Sequence, residues 1–162
     1  MHFWWVNHKQ TYKQEIGGGY LWSPKTNSDG SRNQTYNNMR RAVPGDVVFS
    51  YAYAQIGQVG VVSRPAASCP KPPEFGEAGS NWGQDGWMVP IDWHPVPEPL
   101  RPKQFIEELR PHLPVKYSPL NAATGGGNQN IYLTAVPDSM AVRWSPNSDR
   151  RLSSVRFCER RT

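Results

Sequence analysis

Two runs rich in β-branched and aromatic residues, Val47-Val48-Phe49-Ser50-Tyr51-Ala52-Tyr53 and Ile56-Gly57-Gln58-Val59-Gly60-Val61-Val62, are separated by Ala54-Gln55 alone. Such residues suit a pleated surface, and so short a gap leaves room only for a tight reversal, so the pair is read as a β-hairpin. Phe3-Trp4-Trp5-Val6-Asn7 reads as a buried strand that delivers the polar His8-Lys9-Gln10 at its end. Trp87-Met88-Val89-Pro90-Ile91-Asp92-Trp93 reads as another, with Pro90 marking an edge or a bulge. With 14 Gly and 16 Pro among 162 residues, long helices are excluded.

Short helices remain. Ser31 is placed to cap one over roughly Arg32–Arg41, which Pro44-Gly45-Asp46 stops with a turn. Pro102 opens another, with Phe105, Ile106 and Leu109 as its apolar stripe and Pro111 at its end. Between Arg64 and Gly86 periodicity disappears, so that stretch reads as a long excursion around Trp82. Gly125-Gly126-Gly127-Asn128-Gln129-Asn130 leads into a last apolar run, Ile131-Tyr132-Leu133, and the segment 143–162 is a polar, arginine-rich tail. The sum is an α+β domain over 1–142, a curled or barrel-like mixed sheet with short helices at its ends.

The net charge of +5 favours a polyanionic partner without identifying it. No stretch approaches the ~20 apolar residues of a membrane span, and no secretion signal opens the chain, so a cytoplasmic protein away from membranes is expected. Cys69 and Cys158 are too far apart for a paired-cysteine motif and read as reduced structural thiols. The Asn33-Gln34-Thr35 glycosylation pattern carries no weight in that setting.

The titratable inventory is thin. His2, His8, His94 and His112 show no ligand spacing, Ser50, Ser63 and Cys69 sit in no nucleophile motif, and the glycine triplets lack phosphate-loop or dinucleotide signatures. Neither a catalytic residue, a metal nor a cofactor is therefore expected. What stands out is 12% aromatic residues with amides at strand ends: Asn7, Trp22, Ser23, Tyr51, Tyr53, Trp87, Asn128 and Gln129. Rings can sandwich a flat base while amides read its edge, and Lys9, Lys25, Arg32, Arg40 and Arg41 can meet phosphates. Trp22, Tyr51 and Trp87 read equally as core rings, and the basic residues as a solvated face.

The order of motifs narrows the choice. Phe3-Trp4-Trp5-Val6-Asn7, Gly19-Tyr20-Leu21-Trp22-Ser23-Pro24, Tyr36-Asn37-Asn38-Met39, Val43-Pro44-Gly45-Asp46 with Phe49-Ser50-Tyr51, and Ile56-Gly57-Gln58-Val59-Gly60 resemble, in that order over about residues 1–136, the EVE domain of the PUA-like superfamily. His8-Lys9-Gln10-Thr11-Tyr12, Leu21-Trp22-Ser23-Pro24-Lys25 and Gly127-Asn128-Gln129 are similar to EVE domains fused to HNH nucleases in modification-dependent restriction systems. The resemblance implies a pseudo-barrel that takes a flipped 5-methyl- or 5-hydroxymethylcytosine from double-stranded DNA into an aromatic cage. Trp22 would be the leading wall, with Tyr51, Trp87 and Asn128 beside it and Trp82 at the rim. No paired-histidine nuclease motif follows residue 136, so any cleavage would need another domain or chain. The alternatives are an RNA-binding PUA-like module, and a hydrolase or transferase with a site that carries no signature.

Overall fold

The computed structural model describes residues 1–142; the tail 143–162 lies outside the described residues. Seven strands form one sheet: β1 (Phe3–Asn7), β2 (Tyr20–Pro24), β3 (Val47–Ala52), β4 (Gln55–Val62), β5 (Ala67–Pro70), β6 (Asp85–Leu100) and β7 (Leu133–Val136). Their order is β2-β6-β4-β3-β1-β7, with β5 also paired to β6. Among the described residues only β1 and β3 run parallel. Between the strands lie α1 (Tyr12–Gly18), α2 (Gln34–Asn37) and α3 (Ile106–Leu109), and α4 (Asp138–Val142) follows β7. The expected α+β class, a curled half-barrel sheet with short helices, is what the chain forms.

The sheet curls because β6 changes partners along its length. Its first half pairs β2 and β5, and its second half, from Ile91 to Leu100, pairs β4. Pro90 sits at the hand-over, opposite Tyr20, while Ile91 pairs Val62. A missing N–H is tolerated there, so this proline lies within an interior strand and not at an edge.

Apolar runs without alternation follow from burial on both faces. Trp5, Phe49 and Tyr51 pack on one side with Leu100, Leu109 and Met140, while Trp4, Val6 and Val48 pack on the other with Leu21, Met39 and Ile91. Each large side chain so buried contributes about 1.5–3 kcal/mol. A third cluster, Tyr20, Trp22 and Phe75, closes the β2 end.

Three expectations are corrected. The hairpin turn is Tyr53-Ala54, one residue earlier than read, with φ of 55° and 61°. Two left-handed residues make the reversal whose twist matches the strands, which side chains other than Gly or Asn adopt only at a cost. The 32–41 helix shrinks to α2 followed by a 3-10 turn, Asn38–Arg40. Its cap is Asn33, whose Oδ1 accepts from the Thr35 N–H at 2.9 Å, because Ser31 is already engaged by Asp29. The 64–86 excursion is not structureless: it contains β5 and a 3-10 turn, Pro73–Phe75, that drives Phe75 into the core.

The stripe of Phe105, Ile106 and Leu109 does pack on the core, across a 3-10 turn at Pro102–Phe105 and α3. Pro111 falls inside a further 3-10 turn, Arg110–His112. Among the described residues no helix is long and apolar enough to cross a membrane.

Candidate functional site

Because β1 and β3 run parallel, Asn7 and Tyr51 arrive side by side at one edge of the sheet. The segment after β1, the end of β2, the hairpin tip, α2 and the loop 125–132 surround a cavity of about 1100 Å³ there. Its lining includes Asn7, Lys9, Trp22, Ser23, Tyr51, Tyr53, Asn128 and Gln129, so eight residues picked from sequence meet at one place. Trp87 is not among them.

Several of these are tied into the wall by burial and internal hydrogen bonds. Trp22 is only 1% exposed; its Nε1 donates to the Cys69 carbonyl at 2.9 Å and its ring meets Phe75 edge-on at 5.7 Å. The leading wall is thus a packed ring bordering the cavity. Trp82, half-buried on the same lining, lies 6.3 Å from Trp22 with planes 36° apart, so the more accessible of the two indoles is the one read as rim. Tyr51 packs against Trp5, and its hydroxyl is held by the Gly127 N–H while burial pushes the phenol up.

Asn7 is saturated: Oδ1 accepts from Trp5 Nε1 at 2.7 Å, and Nδ2 donates to the Pro119 and Asn128 carbonyls at 3.1 Å. It ties the end of β1 to the far loop. Ser23 Oγ donates to the Pro24 carbonyl, Asn128 Nδ2 donates to the Ser118 carbonyl, and Gln129 is exposed at the rim. Trp87 packs against the Trp4 cluster instead, because its register partner is Ser23 and not Trp22, with Lys25 and Arg40 lying 4.3 and 5.1 Å from its ring centre.

The basic residues divide. Lys9 is on the cavity, 5.8 Å from the Tyr53 ring, and Lys103 joins it there. Lys25 is ion-paired to Asp85 at 3.0 Å and donates to Ser68. Arg32, Arg40 and Arg41 line a separate depression of about 440 Å³ with Gln34 and Asn37. Asn33 and Tyr36 face the cavity while Gln34 and Asn37 face the depression, as residues three apart on a helical turn must share a side.

Sequence reasoning missed the hub of the site. Glu15 is fully buried; Oε2 accepts from the Trp22 N–H at 2.9 Å and from the Tyr132 hydroxyl at 2.5 Å, and Oε1 accepts from Thr11. Burial and that carboxylate push the Tyr132 phenol well above its ordinary value. Nothing around Glu15 signals this in sequence, since its partners lie up to 117 residues away.

His8, Ser50 and Glu15 also align as a relay would. His8 Nε2 lies 2.6 Å from Ser50 Oγ, and Nδ1 lies 3.4 Å from Glu15 Oε1, within ion-pair range but without a hydrogen bond. Ser50 is fully buried in the middle of β3 and is not on the cavity lining, whereas His8 is. The three side chains link the end of β1, α1 and β3 within the interior. Among the described residues no three His, Cys, Asp or Glu side chains gather as a metal site.

Fold and cavity define a small α+β pseudo-barrel with an aromatic hollow at one end. No family model matches the chain, and no curated protein matches it. Among solved structures it is similar to a hypothetical protein of Leishmania major, at 14% identity and a TM-score of 0.51, covering 99% of this chain and 96% of that one. That likeness is one of fold. A protein of Pseudomonas syringae aligns at 15% identity and TM-score 0.49, over 85% and 93% of the two chains. The YTH domain of Zygosaccharomyces rouxii MRB1 protein, solved in complex with N6-methyladenosine RNA, aligns at 12% identity and TM-score 0.47, over 95% and 86%.

Proposed function

We propose that this chain is a reader of modified nucleobases, taking a base turned out of double-stranded DNA into the cavity beside Trp82. The observation that carries the reading is the hollow itself, which combines ring surfaces of Trp82, Tyr36, Tyr132 and Tyr53 with Lys9 and Lys103. A cleft of this size and lining is built for a flat, polar-edged ligand.

The magnitudes are compatible. Extracting a base costs a few kcal/mol, and each base–ring stack contributes roughly 1–3 kcal/mol, so two stacks offset the extraction. Phosphate contacts from Lys9 and from the Arg32, Arg40 and Arg41 depression then supply net affinity, with a salt slope that reports how many engage. A single buried methyl adds only ~0.8 kcal/mol, about fourfold, so strong selection needs a polar group that the wrong base leaves unpaired.

With the EVE-like motif order, the ligand is a 5-methyl- or 5-hydroxymethylcytosine and the setting a cytoplasmic modification-dependent restriction system. This polypeptide recognises and does not cleave, and a nuclease would act from another domain or chain. The test is binding at fixed salt to identical duplexes carrying cytosine, 5-methylcytosine or 5-hydroxymethylcytosine, and to the same sequence as RNA. Preference for a modified duplex supports the reading. Equal affinities remove the modification claim, and tighter RNA binding replaces DNA as the partner.

A further inference from the structure

We propose that the Tyr36 hydroxyl is the specificity-determining donor of the cavity, reading a hydrogen-bond acceptor on the edge of the bound base; this rests on the proposed reader function. The inference comes from asking which polar groups of the wall are free. Those of Asn7, Thr11, Ser23, Tyr51 and Tyr132 are engaged within the protein as described, and Asn33 accepts twice from Thr35 and donates to Asn27 at 3.0 Å. The side chain of His8 is turned to Ser50 and Glu15. Lys9, Gln10, Gln129 and Asn130 stand in solvent at the rim. Tyr36 lines the cavity and its hydroxyl has no hydrogen-bond partner among the described residues; Trp82 Nε1 and Asn128 Oδ1 are likewise unpaired, and Tyr53 stands exposed at the rim, but Tyr36 alone of these is a hydroxyl on a half-buried ring.

Its ring is also fixed in place. Tyr36 meets Tyr132 edge-on at 6.2 Å, Tyr132 is anchored to Glu15, and the Tyr132 N–H donates to Thr35 Oγ1 at 3.2 Å, one residue before Tyr36. A donor whose ring rests against an anchored neighbour loses little freedom when a ligand arrives. Burial holds the Tyr36 phenol above its ordinary value, so it carries its proton throughout the neutral range and donates. Cytosine offers acceptors at O2 and N3 of the edge it would present. A base without an acceptor in reach would leave a hydroxyl desolvated and unpaired, so the donor selects cytosine-type bases, modified or not, over bases that place no acceptor there.

The test is Tyr36→Phe, which keeps the ring. Affinity for modified and unmodified duplexes, the salt slope and the melting temperature are measured in parallel with the unsubstituted protein. Binding of each duplex whose cytosine enters the cavity, modified or not, is expected to weaken about five- to thirtyfold, with salt slope and melting temperature unchanged. Unchanged modified-duplex affinity in Y36F, with the unsubstituted protein still selective, overturns this inference and leaves the reader function standing. A lowered melting temperature overturns it as well, because the hydroxyl then serves the fold. Absence of selective binding by the unsubstituted protein overturns both.

Discussion

The carboxylate of Glu15 and the hydroxyl of Tyr132 are joined by a 2.5 Å hydrogen bond behind the cavity wall. The same carboxylate accepts from the Trp22 N–H, so α1, β2 and the segment leading into β7 share one anchor. Glu15→Gln keeps the shape but aims an amide N–H at groups that already donate. A loss of about 1–3 kcal/mol in urea unfolding is expected. Stability within a few tenths of a kcal/mol of the parent would show that the anchor carries little.

Trp82 and Trp22 should separate in function. Trp82→Ala is expected to weaken modified-duplex binding by about 1–3 kcal/mol with little effect on folding. Trp22→Ala should instead cost about 3–5 kcal/mol of stability, since it empties a sealed position between Phe75 and Trp82. Binding titrations alongside thermal melts of both variants decide this. The reverse pattern would make Trp22 the ligand's wall after all.

Gly86 faces the same ring. A Cβ there would stand 2.2 Å from Trp22 Cζ2 and 2.5 Å from the Ser23 carbonyl oxygen. Since neither backbone nor packed indole yields readily, Gly86→Ala should destabilise by at least about 1–3 kcal/mol. A calorimetric melt equal to the parent's would mean that β2 and β6 are looser than this packing requires.

Asp46 predicts a pH dependence. Its burial works to raise its pKa, but the N–H groups of Val43 and His2, the Trp4 Nε1–H and the nearby His2 side chain outweigh burial and hold it below the usual carboxylate value. A depressed native pKa contributes stability above the unfolded value of about 3.9 and loses it as pH falls through the native one. Asp46→Asn should therefore be less stable than the parent at pH 7, with the gap closing below about pH 4. Urea titrations at pH 7 and pH 3 that give the same deficit would locate the effect in packing, not charge.

Much of this molecule was legible from residue order. The hairpin, β1 and the exclusion of long helices follow from local pattern, because β-branched runs, turn lengths and prolines act over a few residues, whereas the meeting of Asn7, Trp22, Tyr51, Tyr53 and Asn128 is made by the pairing of distant segments. Which ring faces the lumen was decided only by tertiary structure. Trp22 and Trp87 lie on neighbouring strands, and the register that sets Trp87 opposite Ser23 sends the two indoles to different faces of the sheet. The roles of Glu15, Tyr36 and Tyr132 likewise depend on hydrogen bonds and packing between segments about a hundred residues apart, for which no local sequence signal exists.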